Sequence, residues 1–120
     1  MASSGPVPRR GEVWIVNFDP TVGSEIRKTR PAVVVSSDGV GRLPVKLVVP
    51  LTDWKPHYAG NIWHVHLSPS KSNGLAKDSA ADALQVRCVS VRRFQHHIGR
   101  LSAAQMEEIA AAIAAVVEFQ

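Results

Sequence analysis

The sequence predicts a mainly β fold, a small antiparallel barrel or curled sheet with one C-terminal helix. Three observations lead there. Short runs of β-branched and aromatic residues recur along most of the chain, bounded by Gly, Pro, Asp and Ser clusters. No helical pattern separates one run from the next, so the βαβ rhythm of a parallel sheet is missing. One apolar stripe at helical spacing stands at the end of the chain.

The first strand is expected over about Gly11 to Phe18, where Val13, Trp14, Ile15, Val16 and Phe18 suit a pleated, half-buried surface. Asp19-Pro20 breaks it, because proline lacks the ladder donor. Thr21 to Thr29 is a polar loop, longer than the usual median of about 4–6 residues, and long loops are often functional. The second strand, Pro31 to Ser37, holds the unbroken run Ala32-Val33-Val34-Val35 expected of a central buried strand. Ser37-Asp38-Gly39 and Gly41 mark a turn. The third strand, Val45 to Leu51, ends at Thr52 and Asp53, and a loop follows through Trp54, Pro56, His57, Tyr58 and Gly60.

The fourth strand, Ile62 to Leu67, alternates, with Trp63, Val65 and Leu67 on one face and Ile62, His64 and His66 on the other. Ser68 to Asp78 reads as a loop, Asp82 to Val89 as a fifth strand, and Val91 to Gly99 as irregular. Ser102 caps the helix, with Gln105 completing a capping box. Met106, Ile109, Ala110, Ile113, Val116 and Val117 form the stripe that packs on the sheet. Trp14 and Trp63 are expected in the core.

With 120 residues, 45% apolar and 20% charged, the chain is long enough for one core. Residues 1–9 should be a disordered tail and 10–120 a single domain. One cysteine, Cys88, allows no internal disulfide and fits a reducing cytosol; it reads as a small buried hydrophobe. Ala111 to Val117 is too short to span a bilayer, and Met1 to Arg9 lacks the apolar core of a signal peptide, so no membrane association and a cytoplasmic location are expected. The net charge of +4 and pI ≈ 9.7 favour anionic partners, with Arg and Lys concentrated at Arg9–Arg10, Arg27–Arg30 and Arg92–Arg93. His64 and His66 have no third ligand at close spacing, so no metal and no other cofactor is assigned; cross-strand or solvent-facing roles suit them better.

The pattern G-E-V-W-x-V-x-F-D-P-T-V-G-S-E at Gly11–Glu25, followed by R-P-A-V-V-V-S at Arg30–Ser36, resembles the MazF/PemK toxin family. V-V-P-L-T at Val48–Thr52, G-L-x-K-D-S at Gly74–Ser79 and L-Q-V-R at Leu84–Arg87 follow in family order. The resemblance implies an SH3-like barrel, a homodimer, a cognate acidic antitoxin and sequence-selective cleavage of single-stranded mRNA, leaving a 2′,3′-cyclic phosphate and a 5′-hydroxyl without a divalent metal. A CcdB-like gyrase poison and an SH3-like binding module are the alternative readings. Both motifs tied to cleavage, R-P at Arg30-Pro31 and L-T at Leu51-Thr52, are present.

RNA carries its own nucleophile, so the protein must align the 2′-oxygen, move protons and stabilise phosphoryl charge. Arginine suits the last task because its planar fork donates two bonds to phosphate, and a threonine hydroxyl adds a third donor. Arg30 and Thr52 stand at a strand start and a strand end, and the resemblance implies the same catalytic pair. A surface ion pair of Arg30 with Glu25 or Asp53, and a turn hydroxyl for Thr52, are the structural alternatives. RNA contacts are expected from Phe18, Ser24, Glu25, Arg27, Lys28, Asp53, His57, Lys77, Ser79 and Gln85, with Trp54 and Tyr58 offering further rings. Leu84 stands where many members of that family carry a carboxylate; Asp82 lies two residues earlier on the same face. The proton-transfer group therefore stays open.

Overall fold

The computed structural model describes residues 7–40 and 43–119. Residues 1–6 of the expected tail and Gly41 of the expected turn lie outside them. Pro8, at the start, is fully buried.

Among the described residues, seven antiparallel strands form one sheet: β1 (Glu12–Asn17), β2 (Thr29–Val34), β3 (Val45–Asp53), β4 (His64–Leu67), β5 (Ser79–Asp82), β6 (Arg87–Ser90) and β7 (Phe94–Arg100). Neighbours run β4, β5, β3, β2, β1, β7, and β6 pairs with β3. The sheet therefore has two ends and does not close into a hydrogen-bonded barrel. The mainly β architecture with one C-terminal helix, α1 (Ala103–Val116), is as the sequence predicts.

The unbroken valine run is explained by two cores. Val33 and Val35 of the second segment, with Val49 and Leu51 of β3, pack with α1 into one cluster. Ala32, Val34 and Val48 point the other way, into a second cluster with Val16, Phe18, Val89 and Phe94. Successive residues of a strand face opposite sides, so a strand covered on both faces has no polar alternation. Trp14 and Trp63 are half-buried and pack against these clusters.

Three expectations fail in the second half. The single strand expected over Asp82 to Val89 is broken: Asp82 accepts from the Leu84 N–H at 3.1 Å and caps a 3₁₀ turn, Ala83–Gln85, between β5 and β6. Such a local side-chain bond offers the backbone an alternative to the ladder. The segment Val91 to Gly99, expected to be irregular, holds a 3₁₀ turn, Val91–Arg93, capped by Ser90, and then β7, which pairs with β1. β7 is an edge strand with exposed Gln95, His96 and His97, so it carries little apolar alternation. Cys88 is exposed, a correction of its expected burial, because β6 turns Val89 inward and Cys88 outward.

The helix starts as predicted. Ser102 Oγ accepts from the Gln105 N–H at 3.1 Å and Gln105 Oε1 accepts from the Ser102 N–H at 2.9 Å. Its buried stripe is narrower than predicted: Met106, Ile109 and Ala112 are buried and Ile113 is half-buried, while Ala110 and Val117 are exposed. The Ser68–Asp78 loop is folded around buried Asn73, whose Oδ1 accepts from the Ser70 and Leu75 N–H groups and whose Nδ2 donates to Ser68 O. Gly74, at φ +68°, lies so close to Ile98 O that a Cβ there would collide with backbone.

Candidate active site

Proline sits on both strands where the site begins. Ala32 pairs with Pro50 at the end of the β2–β3 ladder. Arg30 and Thr52 each stand two residues beyond that last pair, and both border the same surface clefts. Arg30 pairs with Val16 of β1, and Thr52 with Ala80 of β5. Both side chains thus stand on well-fixed strands.

Arg30, Thr52 and Asp53 form a ridge between two clefts. One, of about 370 Å³, is walled by Leu51, Leu75, Ala76, Lys77, Ser79 and Ile98. The other, of about 420 Å³, is walled by Ser24, Ile26, Lys55, Tyr58, Asp82 and Gln85. Among the described residues no carboxylate lies within 4.0 Å of the Arg30 guanidinium; Arg30 Nε donates to Arg27 O at 3.2 Å. Asp53 is taken by Lys77 at 2.9 Å, and that bond holds its pKa below the ordinary carboxylate value.

Each expected RNA contact has a definite place. Phe18 is corrected: it is fully buried in the second core, with the Arg87 guanidinium 5.6 Å from its ring centre, and has no face to offer a base. Ser79 is buried, and its hydroxyl donates to Lys77 O at 3.0 Å, although it lines the first cleft. Gln85 clamps the loop, its Oε1 accepting from the Ile26 N–H and its Nε2 donating to Ser24 O, both at 3.1 Å. Glu25 Oε1 accepts from the Val22 N–H at 2.6 Å, an intraloop bond rather than a pair with Arg27 or Arg30. Lys28, at φ 70°, donates its N–H to Asp19 Oδ1 at 3.0 Å and leaves its side chain exposed, as are Ser24 and Arg27. His57 is exposed and meets Tyr58 edge to face at 4.7 Å. Trp54 stacks on His66 at 4.3 Å, and His66 pairs with Asp78 at 3.1 Å.

The base of the loop is held by arginines that the sequence marks only as part of a basic cluster and of the L-Q-V-R motif, with no such role assigned. Arg93 donates to Asn17 O at 3.1 Å and to Asp19 O, and Arg87 to Phe18 O at 3.5 Å. Lys55 adds a cation to the second cleft. No local pattern reveals the holding role of Arg87 and Arg93, because their partners are far away in sequence.

Behind the second cleft lies a carboxylate–imidazole pair. Asp82 Oδ2 is 3.6 Å from His64 Nε2, with side chains 15% and 7% exposed. Burial pushes Asp82 above and His64 below its ordinary pKa, against the attraction between them.

Residues 9–117 match the family described as PemK-like, MazF-like toxin of type II toxin–antitoxin system. The chain belongs to that family. It is similar to endoribonuclease MazF9 of Mycobacterium tuberculosis, 38% identical over 111 residues, which covers 84% of this chain and 88% of that protein. Its fold is similar to MazF of Deinococcus radiodurans, with a TM-score of 0.76 at 22% identity, covering 94% and 98% of the two chains. It is also similar to an endoribonuclease from a mycobacterial species solved in complex with its cognate antitoxin, with a TM-score of 0.74 at 18% identity and coverage of 95% and 98%.

Proposed function

We propose that this toxin-family chain is an endoribonuclease that cuts single-stranded mRNA at the Arg30–Thr52 ridge. The observation that carries the reading is a cationic guanidinium with no carboxylate partner among the described residues, beside a threonine hydroxyl and between two clefts. The scissile phosphate rests on the ridge. Arg30 donates to its oxygens and stabilises the charge that grows as the 2′-oxygen attacks phosphorus. Thr52 adds a hydroxyl donor. The products are a 2′,3′-cyclic phosphate and a 5′-hydroxyl, and the chemistry needs no divalent metal because the nucleophile belongs to the RNA.

The exposed loop 21–29 with Arg27 and Lys28 supports contacts to flanking phosphates and bases. The relative solved with its cognate antitoxin supports a cognate acidic antitoxin that covers this basic ridge in the cytoplasm, and family membership supports a homodimer. The test is cleavage of a long RNA in excess EDTA with analysis of the ends. Cyclic phosphate and 5′-hydroxyl ends are expected. Ends bearing 5′-phosphate, or strict dependence on added Mg²⁺ or Zn²⁺, would overturn the reading.

A further inference from the structure

Arg30 stays protonated at any working pH and cannot accept the 2′-hydroxyl proton. On the reading above, the geometry points to Asp82 as the carboxylate that accepts this proton, with His64 as its positioning residue. Thr52 pairs with Ala80, so Asp82, two residues along β5, is its diagonal neighbour on the same face. Such neighbours have Cα atoms about 7–8 Å apart, which lets a carboxylate reach a 2′-oxygen whose phosphate is held at Thr52. Asp82 also lines the cleft that Arg30 and Thr52 border.

The carboxylate is fixed from behind. Oδ1 is held by the Leu84 N–H at 3.1 Å. His64 is the direct cross-strand partner of Asp82. Asn61 Nδ2 lies 3.1 Å from His64 Nδ1; the amide donates there, which leaves the ring proton of neutral His64 on Nε2, facing Asp82. Tyr58 stacks on His64 at 3.8 Å and walls the same cleft. The titratable or charged groups around the pair are His64 from β4, Arg30 from β2, Asp53 at the end of β3, and Lys55, His57 and Tyr58 from the segment after it. Burial raises the Asp82 pKa, which moves it towards the operating pH of a general base. Leu84, at the position where the family resemblance leads one to expect a carboxylate, is exposed and carries no proton-accepting group.

The step balances within the RNA. The 2′-O–H bond breaks and its proton goes to Asp82 while the 2′-oxygen bonds to phosphorus. The P–O5′ bond breaks, its electron pair stays on O5′, and a water gives O5′ a proton. The resulting hydroxide takes the proton from Asp82, so no water is consumed and the carboxylate is restored.

The experiment compares pH–rate profiles of wild type, Asp82→Asn and His64→Phe, with binding of an all-2′-deoxy oligonucleotide of the cleaved sequence as the check of fold. Asparagine keeps the acceptor that caps the 3₁₀ turn, so Asp82→Asn should fold and bind normally. It should lose about 10²–10⁴-fold in cleavage and lose the acid limb of the profile. His64→Phe keeps the stack on Tyr58 and removes the donor to Asp82, so its acid limb should move to higher pH. Cleavage by Asp82→Asn within a few-fold of wild type, or an unchanged acid limb, would overturn the Asp82 assignment and leave the ridge intact. A uniform loss of rate and binding in Asp82→Asn would equally reject it, as a structural role. Failure of wild type to cut RNA would overturn the parent reading and this one together.

Discussion

The two clefts that share the Arg30–Thr52 ridge differ in what their charged groups already hold. In the first, Lys77 is spent on Asp53 and the remaining walls are largely apolar, from Leu51, Leu75 and Ile98. In the second, Lys55 and the Arg30 guanidinium have no carboxylate within 4.0 Å among the described residues, and Asp82 is turned towards the same space. A phosphate gains most from cations that are not already neutralised, since breaking an existing pair offsets the new one. On the proposed reading, cleavage chemistry would therefore be concentrated in the second cleft, and the first would be a wall that shapes the approach.

The largest expected effect is common to both sides. Arg30→Ala should lower cleavage by about 10²–10³-fold or more with the fold intact, and Arg30→Lys should rescue poorly because it loses the bidentate fork. Cleavage rates with melting curves check it; near-normal cutting by a folded Arg30→Ala protein would remove the ridge from the account. Gln85→Ala comes next. It removes two hydrogen bonds that hold the loop, each with a net value of about 1 kcal/mol, so cleavage should fall roughly tenfold or more and melting should drop by several degrees. Accelerated hydrogen exchange confined to residues 21–29 would locate the effect, and exchange unchanged there would show that the clamp is idle.

The pair behind the second cleft makes a pH prediction. Burial holds the His64 pKa below 6.5, so the folded protein binds fewer protons than the unfolded chain between that lowered value and 6.5. Stability should rise with pH across this window and be lost as pH falls through it. Asp82, with its pKa raised above 3.8, contributes the opposite slope between 3.8 and its raised value. Melting of His64→Phe followed from pH 4 to 8 should lack the first slope; an unaltered slope would place the titrating group elsewhere. Lys77→Ala should have the smallest effect. Its pair with Asp53 is exposed, so stability should change by about 0–1 kcal/mol and cleavage by less than for Gln85→Ala. A loss comparable to Arg30→Ala would reverse the ranking of the two clefts.

What the sequence reveals follows the range of the interactions. β2 and β3 are legible because both faces are buried, so their valine runs are strong signals. Arg30 and Thr52 are legible as strand ends beside Pro31 and Leu51. β7 is obscured because an edge strand with exposed histidines lacks alternation, and the β5–β6 break is obscured because the Asp82 carboxylate diverts one backbone N–H from the ladder. The Gln85 clamp spans 59 and 61 residues, and the Asp82–His64 pair arises from the β4–β5 register, so neither has a local signature. Phe18 is obscured for a related reason: an aromatic ring at a loop entrance reads the same in sequence whether it faces solvent or a second core.

The most direct test of the central claim, that the chain cuts RNA with the RNA's own 2′-hydroxyl at this ridge, is one 2′-deoxy nucleotide placed on the 5′ side of a mapped cut in an otherwise unchanged RNA. The account predicts that cutting at that bond is lost while other sites on the same strand are cut at their former rates and binding is retained. Continued cleavage at the deoxy-substituted bond would contradict it, because the attacking oxygen would then have to come from elsewhere.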